Sequence, residues 1–201
     1  MGKLISVIGN SGTGKTSLVQ ALAKAGDFQI GFEEHRERPF QELFSKDLQR
    51  YALPNQVDYF LLRAEQESAI RQEVRTGLQD GGLEQDYFIF THHFYNTGYL
   101  DRSEFSLLTR LYSLIRQLSP HPDLIIALIA PLEVTAERFK KRNRSLEIAQ
   151  LNDLEALQSL LDNFLATYKQ APLIQVDAYQ DDPTYSGQID SLLESISNLL
   201  G

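Results

Sequence analysis

The stretch KLISVIGNSGTGKT, residues 3–16, decides the fold. Its first half is apolar and β-branched, which predicts a short strand from Lys3 to Gly9. Its second half completes the P-loop pattern, in which a glycine and four further residues precede glycine, lysine and a hydroxyl residue. After it, leucines and alanines recur on one helical stripe from Ser17 to Ala25, and Gly26 ends that helix. Strand, loop and helix in this order are the context that the motif requires.

Each part of such a loop has a physical task. Glycines let the backbone curl so that successive N–H groups point at phosphate oxygens, and the helix N-terminus adds positive potential. Lys15 is expected to reach the β- and γ-phosphates, and Thr16 to ligate magnesium. An ordinary glycine-rich turn is the alternative. The predicted ATP- and Mg²⁺-binding loop consists of Gly9, Asn10, Ser11, Gly12, Thr13, Gly14, Lys15 and Thr16.

The rest of the chain alternates apolar runs with segments of helical periodicity. Leu124 to Ala130 is continuously apolar, which is typical of a strand buried on both faces of a parallel sheet. Further strands are predicted over 28–33, 76–80 and 172–176. Helices are predicted over 39–51, 54–75, 86–96, 103–118 with Ser103 as its N-cap, 131–142, 149–168 and 185–200. This alternation predicts an α/β fold with a parallel sheet, formed by residues 1–201 as one domain.

Composition excludes several classes of function. Lys and Arg number 19 against 27 Asp and Glu, a net charge of -8, so no nucleic acid partner is expected. The chain has no cysteine, which excludes disulfides and thiolate chemistry and suits a reducing compartment; we expect the cytoplasm. The longest apolar run, 124–130, is far shorter than the roughly 20 residues of a membrane helix, so no membrane partner is expected.

A cationic cluster follows the strand at 124–130. It contains Arg138, Arg142 and Arg144, with two lysines between them. Positions four apart place Arg138 and Arg142 on one helical face. Cations on a mobile segment can stabilise a transferring phosphoryl group from the side opposite the P-loop. The alternative is a solvated basic helix end, which the helix dipole favours.

Together the P-loop and the arginines resemble the deoxyribonucleoside kinases, particularly the bacterial type, from Lys3 to about Asp182. The segment Arg138-x-x-x-Arg142-x-Arg144-x-x-Glu147 is similar to the family lid, here expected over about 138–150. The resemblance implies a three-layer P-loop kinase fold with a sheet of about five strands. It also implies ATP and Mg²⁺ as cofactors, a deoxyribonucleoside whose 5′-hydroxyl receives the γ-phosphate, and a homodimer packed through long helices.

The resemblance also assigns residues to the acceptor side. Phe32-Glu33 and Pro39 match the segment after the second strand, which makes Glu33 a catalytic carboxylate beside Lys15, Arg138, Arg142 and Arg144. The residues that match the base site are Gln56, Arg63 and Asp86. Glu147 matches a residue that binds the sugar 3′-hydroxyl. Asp80 matches an acid that binds the metal together with Thr16. Independently, a spacing of seven puts Gln56 and Arg63 on one helix face, and a buried arginine there needs a carboxylate such as Asp86.

Some positions depart from the pattern or lead elsewhere. Gly81-Gly82 follows Asp80 where the family has arginine and serine, and Ser45 stands where a sugar-binding tyrosine is usual. Arg36 and Arg38 are candidates to replace that arginine near Glu33. His92 and His93 are adjacent and face different ways on a helix, so a metal site there is not expected.

Three functions remain compatible with these features. The first is a deoxynucleoside kinase with a modified acceptor site. The second is a kinase for a nucleoside monophosphate or another small acceptor. The third is a non-catalytic nucleotide-binding module.

Overall fold

The computed structural model describes residues 2–31, 39–142, 150–180 and 182–201. At its centre lies a five-stranded parallel sheet in the order β2-β3-β1-β4-β5. Because the strand order reverses at β1, ligands are expected at the carboxyl edge of the sheet beside that strand. The strands are β1 Leu4–Gly9, β2 Phe28–Gly31, β3 Thr76–Asp80, β4 Leu124–Ile129 and β5 Leu173–Asp177.

Helices cover both faces of the sheet, and none of the described helices is long and apolar enough to cross a membrane. They are α1 Lys15–Ala25, α2 Pro39–Lys46, α3 Leu48–Gln72, α4 Leu83–Gln85, a π-helical segment Asp86–Thr91, α5 His92–Asn96, α6 Arg102–Leu118, α7 Leu132–Arg142, a 3₁₀ turn Leu151–Asp153, α8 Leu154–Thr167 and α9 Ile189–Leu200.

Strand β4 contacts the helix layers on both faces of the sheet. Leu124, Ile126 and Leu128 pack with α1 and α9 on one face, while Ile125 and Ala127 pack with α8 on the other. Both faces are therefore buried, as the continuous apolar run predicts. The prediction of an α/β fold with a five-stranded parallel sheet and helices on both faces is confirmed.

The helix boundary predicted at Pro54 is wrong. Helix α3 runs through Pro54, and the chain breaks instead at Asp47, whose carboxylate accepts a hydrogen bond from the Arg50 N–H at 3.1 Å. An N-cap satisfies donors of the first turn, so the helix starts there. The proline removes one internal hydrogen bond, and the buried neighbours Ala52 and Asn55 hold the helix against the core.

Three other helix starts also differ from the prediction. Asp101, rather than Ser103, caps α6, because Asp101 and Glu104 form a reciprocal capping box with two 2.8 Å hydrogen bonds. The helix predicted from Asp86 begins at Leu83. The last helix begins at Ile189, since Tyr185 has φ of 51° and lies outside the helical region.

Candidate active site

The P-loop connects β1 to α1 at the carboxyl edge of the sheet. Gly12 and Gly14 have φ of 91° and 99°, a conformation that glycine adopts without strain. A Cβ at Gly12 would lie 2.8 Å from the carbonyl oxygen of Thr135 in α7. The Lys15 ammonium donates to the carbonyls of Gly9 and Asn10, both at 3.0 Å. The loop therefore curls around its own lysine, with α7 directly beside it.

Two buried amide side chains fix the first residues of this loop. Gln85 accepts a hydrogen bond from the Gly9 N–H at 3.0 Å. Asn10 donates to the Leu154 carbonyl at 2.8 Å and to the Gln158 side chain at 3.1 Å. The loop is thus tied to α4 and to α8. Sequence reasoning missed Gln85 and Gln158, because an amide side chain that fixes a loop belongs to no sequence motif.

Thr16, in the first turn of α1, meets Asp80 at the end of β3. Asp80 ends β3, which pairs with β1, and its carboxylate accepts a hydrogen bond from the Thr16 hydroxyl at 2.6 Å. A hydroxyl and a carboxylate are oxygen donors, the type that Mg²⁺ prefers. Mg²⁺ keeps several waters and shares substrate phosphates, so two protein oxygens beside a P-loop fit it.

The predicted acceptor residues Gln56, Arg63 and Asp86 lie together. Both α3 side chains are on one buried face, each with 2% of its surface exposed. Arg63 Nε donates to Asp86 Oδ2 at 2.9 Å, and its Nη1 donates to the Asp80 carbonyl at 2.9 Å. Gln56 Nε2 donates to the Thr91 hydroxyl at 3.2 Å. The result is a buried polar cluster that contacts Asp80, the residue whose carboxylate accepts from Thr16.

Arg138 lies against the loop that follows β5. Its guanidinium donates to the carbonyls of Ala178, Tyr179 and Gln180, the last at 2.7 Å. In the same loop, the Tyr185 hydroxyl donates to the Gly14 carbonyl at 3.4 Å. Arg138 therefore joins the start of the predicted lid to a loop that touches the P-loop.

Several predicted residues lie outside the described ranges. These are Glu33, Arg36, Arg38, Arg144 and Glu147, together with the side chain of Arg142 at the end of α7. Their roles stay predictions.

The structure describes Ser45, His92 and His93, and each contacts residues close to its own element or in the neighbouring helices. Ser45 is exposed and donates to the Glu42 carbonyl one turn earlier, at 2.8 Å. His92 packs edge-on against Tyr87 and Phe105, and burial lowers its pKa. His93 Nε2 lies 3.3 Å from the Asp153 carboxylate. The two imidazoles thus face different neighbours.

The chain matches the family model described as deoxynucleoside kinase over residues 5–200. It belongs to the deoxynucleoside kinase family. Two relatives and one solved structure are similar to this chain. It is 24% identical to a deoxyadenosine/deoxycytidine kinase of Bacillus subtilis (strain 168) over 201 residues, 96% of this chain and 93% of the relative. It is 31% identical to a deoxyadenosine kinase of Dictyostelium discoideum over 163 residues, 81% of this chain and 65% of the relative.

The solved structure is that of the deoxyadenosine kinase from M. mycoides with bound dCTP. It superposes with a TM-score of 0.81 at 22% identity, covering 97% of this chain and 99% of that one, and so shares the fold. Family membership decides among the three candidate functions: this kinase phosphorylates a nucleoside to its monophosphate, and the family implies ATP as the donor.

Proposed function

We propose that this deoxynucleoside kinase transfers the γ-phosphate of Mg²⁺-bound ATP to the 5′-hydroxyl of deoxyadenosine, and less efficiently to that of deoxycytidine. The observation that carries the proposal is the buried Arg63–Asp86 ion pair, whose arginine also contacts Asp80 beside the P-loop. Removing two charges from water is costly, so such a pair at a ligand edge is better explained by recognition than by stability.

The orientation of Gln56 supports a base with an amino group. Its amide nitrogen donates a hydrogen bond to the Thr91 hydroxyl. The amide oxygen is then the atom that would contact a ligand. An amide oxygen accepts, and adenine and cytosine each carry an exocyclic amino group that donates. The two bases named for the Bacillus subtilis relative are these amino bases.

On the donor side, Lys15 holds the β- and γ-phosphates, while Thr16 and Asp80 hold Mg²⁺ by their oxygens. When bound, Mg²⁺ neutralises charge on the transferring phosphoryl group. The remaining roles follow the family pattern: Glu33 accepts the proton of the 5′-hydroxyl, Glu147 binds the 3′-hydroxyl, and Arg142 and Arg144 approach from a lid over about 138–150. Arg138 anchors that lid on the carbonyls of the loop after β5.

We also propose that the enzyme, one domain over residues 1–201, is a homodimer that acts in the cytoplasm. Helices α3 and α6 pack side by side and leave an apolar face uncovered, with exposed leucines at Leu61, Leu107, Leu114 and Leu118. Leu107, Leu114 and Leu118 share one stripe of α6, and a second copy of the chain would cover them. Light scattering should give a dimer for the parent and a monomer for Leu114→Glu with Leu118→Glu.

Turnover against a panel of acceptors tests the catalytic proposal. ATP consumption with Mg²⁺ should be fastest with deoxyadenosine, slower with deoxycytidine, and slowest with thymidine and ribonucleosides. Gln56→Ala should raise the KM for deoxyadenosine about tenfold, the effect of one buried hydrogen bond to a ligand. Gln49→Ala, an exposed glutamine of the same helix, is the control. Turnover only with monophosphates, or ATP binding without turnover on any acceptor, would overturn the proposal.

A further inference from the structure

Gly81 lies where a side chain would collide with Arg63. Its φ is 84°, and a Cβ built on it would be 2.7 Å from Nη2 and 3.3 Å from Cζ of Arg63. The backbone is also fixed, because the Gly81 N–H donates to the Val7 carbonyl of β1 at 2.8 Å. The guanidinium therefore occupies the space that any larger residue at position 81 would need.

That guanidinium touches both sides of the site. Through Nε it binds the Asp86 carboxylate on the acceptor side, and through Nη1 it binds the carbonyl of Asp80. Asp80 is the residue whose carboxylate accepts from Thr16 in the P-loop. One rigid, planar group thus connects the acceptor pocket with the donor side across the end of β3.

A second layer keeps Arg63 in this place. Gln66 Oε1 accepts from Arg63 Nη1 at 3.4 Å and from the Gln79 side chain at 3.1 Å. Gln79 also donates to the Arg63 carbonyl at 3.4 Å. Since Gln79 is fully buried in β3, the arginine is oriented from its helix side as well as from the strand end.

We propose that Gly81 is a positioning residue whose missing side chain lets Arg63 link Asp86 to Asp80, so that binding of the deoxynucleoside and binding of Mg²⁺-ATP favour each other. The roles of Asp86 and Asp80 in this statement rest on the proposed function; the contact itself does not. By linkage, such coupling acts equally in both directions.

A matched glycine separates this role from simple backbone strain. Gly98 also has a left-handed φ, 75°, and a Cβ there would meet nothing within 4 Å. Gly98→Ala therefore carries the same kind of conformational penalty as Gly81→Ala without the collision. Any effect specific to Gly81→Ala then arises from Arg63.

The first test needs neither substrate nor turnover. In a ¹H–¹⁵N spectrum of the full chain, the Arg63 Nε–Hε signal is assigned by its loss in Arg63→Lys. We expect this signal to be protected from exchange in the parent and in Gly98→Ala, and to be shifted or lost in Gly81→Ala. An unchanged Arg63 signal in Gly81→Ala would overturn the proposal.

The second test is a double-mutant cycle on deoxyadenosine binding, measured by calorimetry. Gly81→Ala should raise the Kd about tenfold, and Gly98→Ala less than about twofold. In the Arg63→Lys background, which lacks the guanidinium, Gly81→Ala should raise the Kd by less than about twofold. If Gly81→Ala still raised the Kd about tenfold in that background, Gly81 would not act through Arg63.

A third measurement keeps the proposal testable if Gly81→Ala does not fold. The Kd for deoxyadenosine is compared with and without a non-hydrolysable ATP analogue and Mg²⁺. The parent should bind about fivefold or more tightly with the analogue, and Arg63→Lys should lose most of that factor. Equal coupling in both proteins overturns the proposal. Failure of the parent to phosphorylate any deoxynucleoside would instead remove the proposed function, and the spectrum would still report the contact.

Discussion

Arg63 and Arg71 lie two helical turns apart on the same buried face of α3, with 2% and 8% of their surfaces exposed. Each is paired with an aspartate, Asp86 and Asp123 respectively, and each also donates to backbone carbonyls. Arg63 lies at the carboxyl edge of the sheet. Arg71 lies at the amino edge, where Asp123 also accepts from the Leu4 N–H at 2.8 Å.

Between them the helix carries Glu67, a fully buried glutamate that belongs to an ionic cluster with Arg116 and Glu84. Arg116 of α6 forms a bidentate pair with Glu67 at 2.7 and 2.8 Å and also donates to Glu84 at 2.9 Å. The proposed function assigns substrate recognition to the ion pair at the carboxyl edge, and we expect the ion pairs further along α3 to contribute to stability alone, because ligands of such sheets bind at the carboxyl edge.

The largest expected effect is at the carboxyl edge. Lys15→Ala should lower kcat by at least about two to three orders of magnitude, because it removes a cation from the transferring phosphoryl group. Its melting temperature should stay within about 2 °C of the parent. Lys24→Ala, an exposed lysine of the same helix, should change neither. Retained activity in Lys15→Ala would refute the assignment of the P-loop as the donor site.

The Glu67 cluster in the middle of this face should respond in stability alone. Arg116→Met leaves two buried carboxylates without their cation and should cost about 3–5 kcal/mol of unfolding free energy, measured in urea. The kcat per folded molecule should stay near that of the parent. Arg110→Met, exposed on the same helix, should be close to neutral. A fall in kcat at unchanged stability would contradict the division between the Arg63 pair and the Glu67 cluster.

The pH dependence of Arg116→Met follows from burial. Burial raises the pKa of Glu67, and Arg116 opposes this shift. A carboxyl with a raised folded pKa binds more protons folded than unfolded, so it destabilises the protein as the pH rises above its unfolded pKa. The stability deficit of Arg116→Met should therefore shrink as the pH falls towards the ordinary range of a glutamate.

Asn10 should give an intermediate, mixed effect, because it connects the P-loop to α8. Asn10→Ala removes three hydrogen bonds, because Asn10 donates to the Leu154 carbonyl and to Gln158 Oε1 and accepts from the Ser11 N–H. We expect a loss of about 1–3 kcal/mol in stability and a raised KM for ATP. Asn163→Ala, exposed on α8, is the control. A KM equal to that of the parent would show that α8 does not position the loop.

The smallest effect concerns the loop that carries Tyr185. Hydrogen bonds from Thr184 and Ser186 lower the pKa of Asp182 to about 2 from its ordinary 3.8. Its stabilising contribution is therefore fully present above pH 3.8 and lost as the pH falls towards 2. Melting curves of Asp182→Asn should lose this part of the acid dependence. A profile identical to that of the parent would mean that the carboxylate does not hold the loop.

Local signals made the carboxyl edge predictable. The P-loop is contiguous, β4 is continuously apolar, and Gln56 and Arg63 share a face by their spacing. Partners far apart in sequence were not predictable: Arg116 and Glu67 are separated by 49 residues, and Gln85 and Gly9 by 76. Pro54 misled the helix assignment, because its local penalty was outweighed by the Asp47 cap and by burial against the core.

The π-helical segment Asp86–Thr91 has a consequence for insertions and deletions. A π turn holds about one residue more than an α turn, so this helix is one residue longer than its span requires. Deleting a single codon within it would therefore restore regular α geometry and leave the two ends in nearly the same orientation. If all of its residues wound instead as a regular α-helix, the extra residue would rotate the two ends by about 100° relative to each other. With Phe94 fixed in the core, Asp86 would turn away from Arg63. The number of residues within one helical turn, and not only the identity of a side chain, places Asp86 beside Arg63.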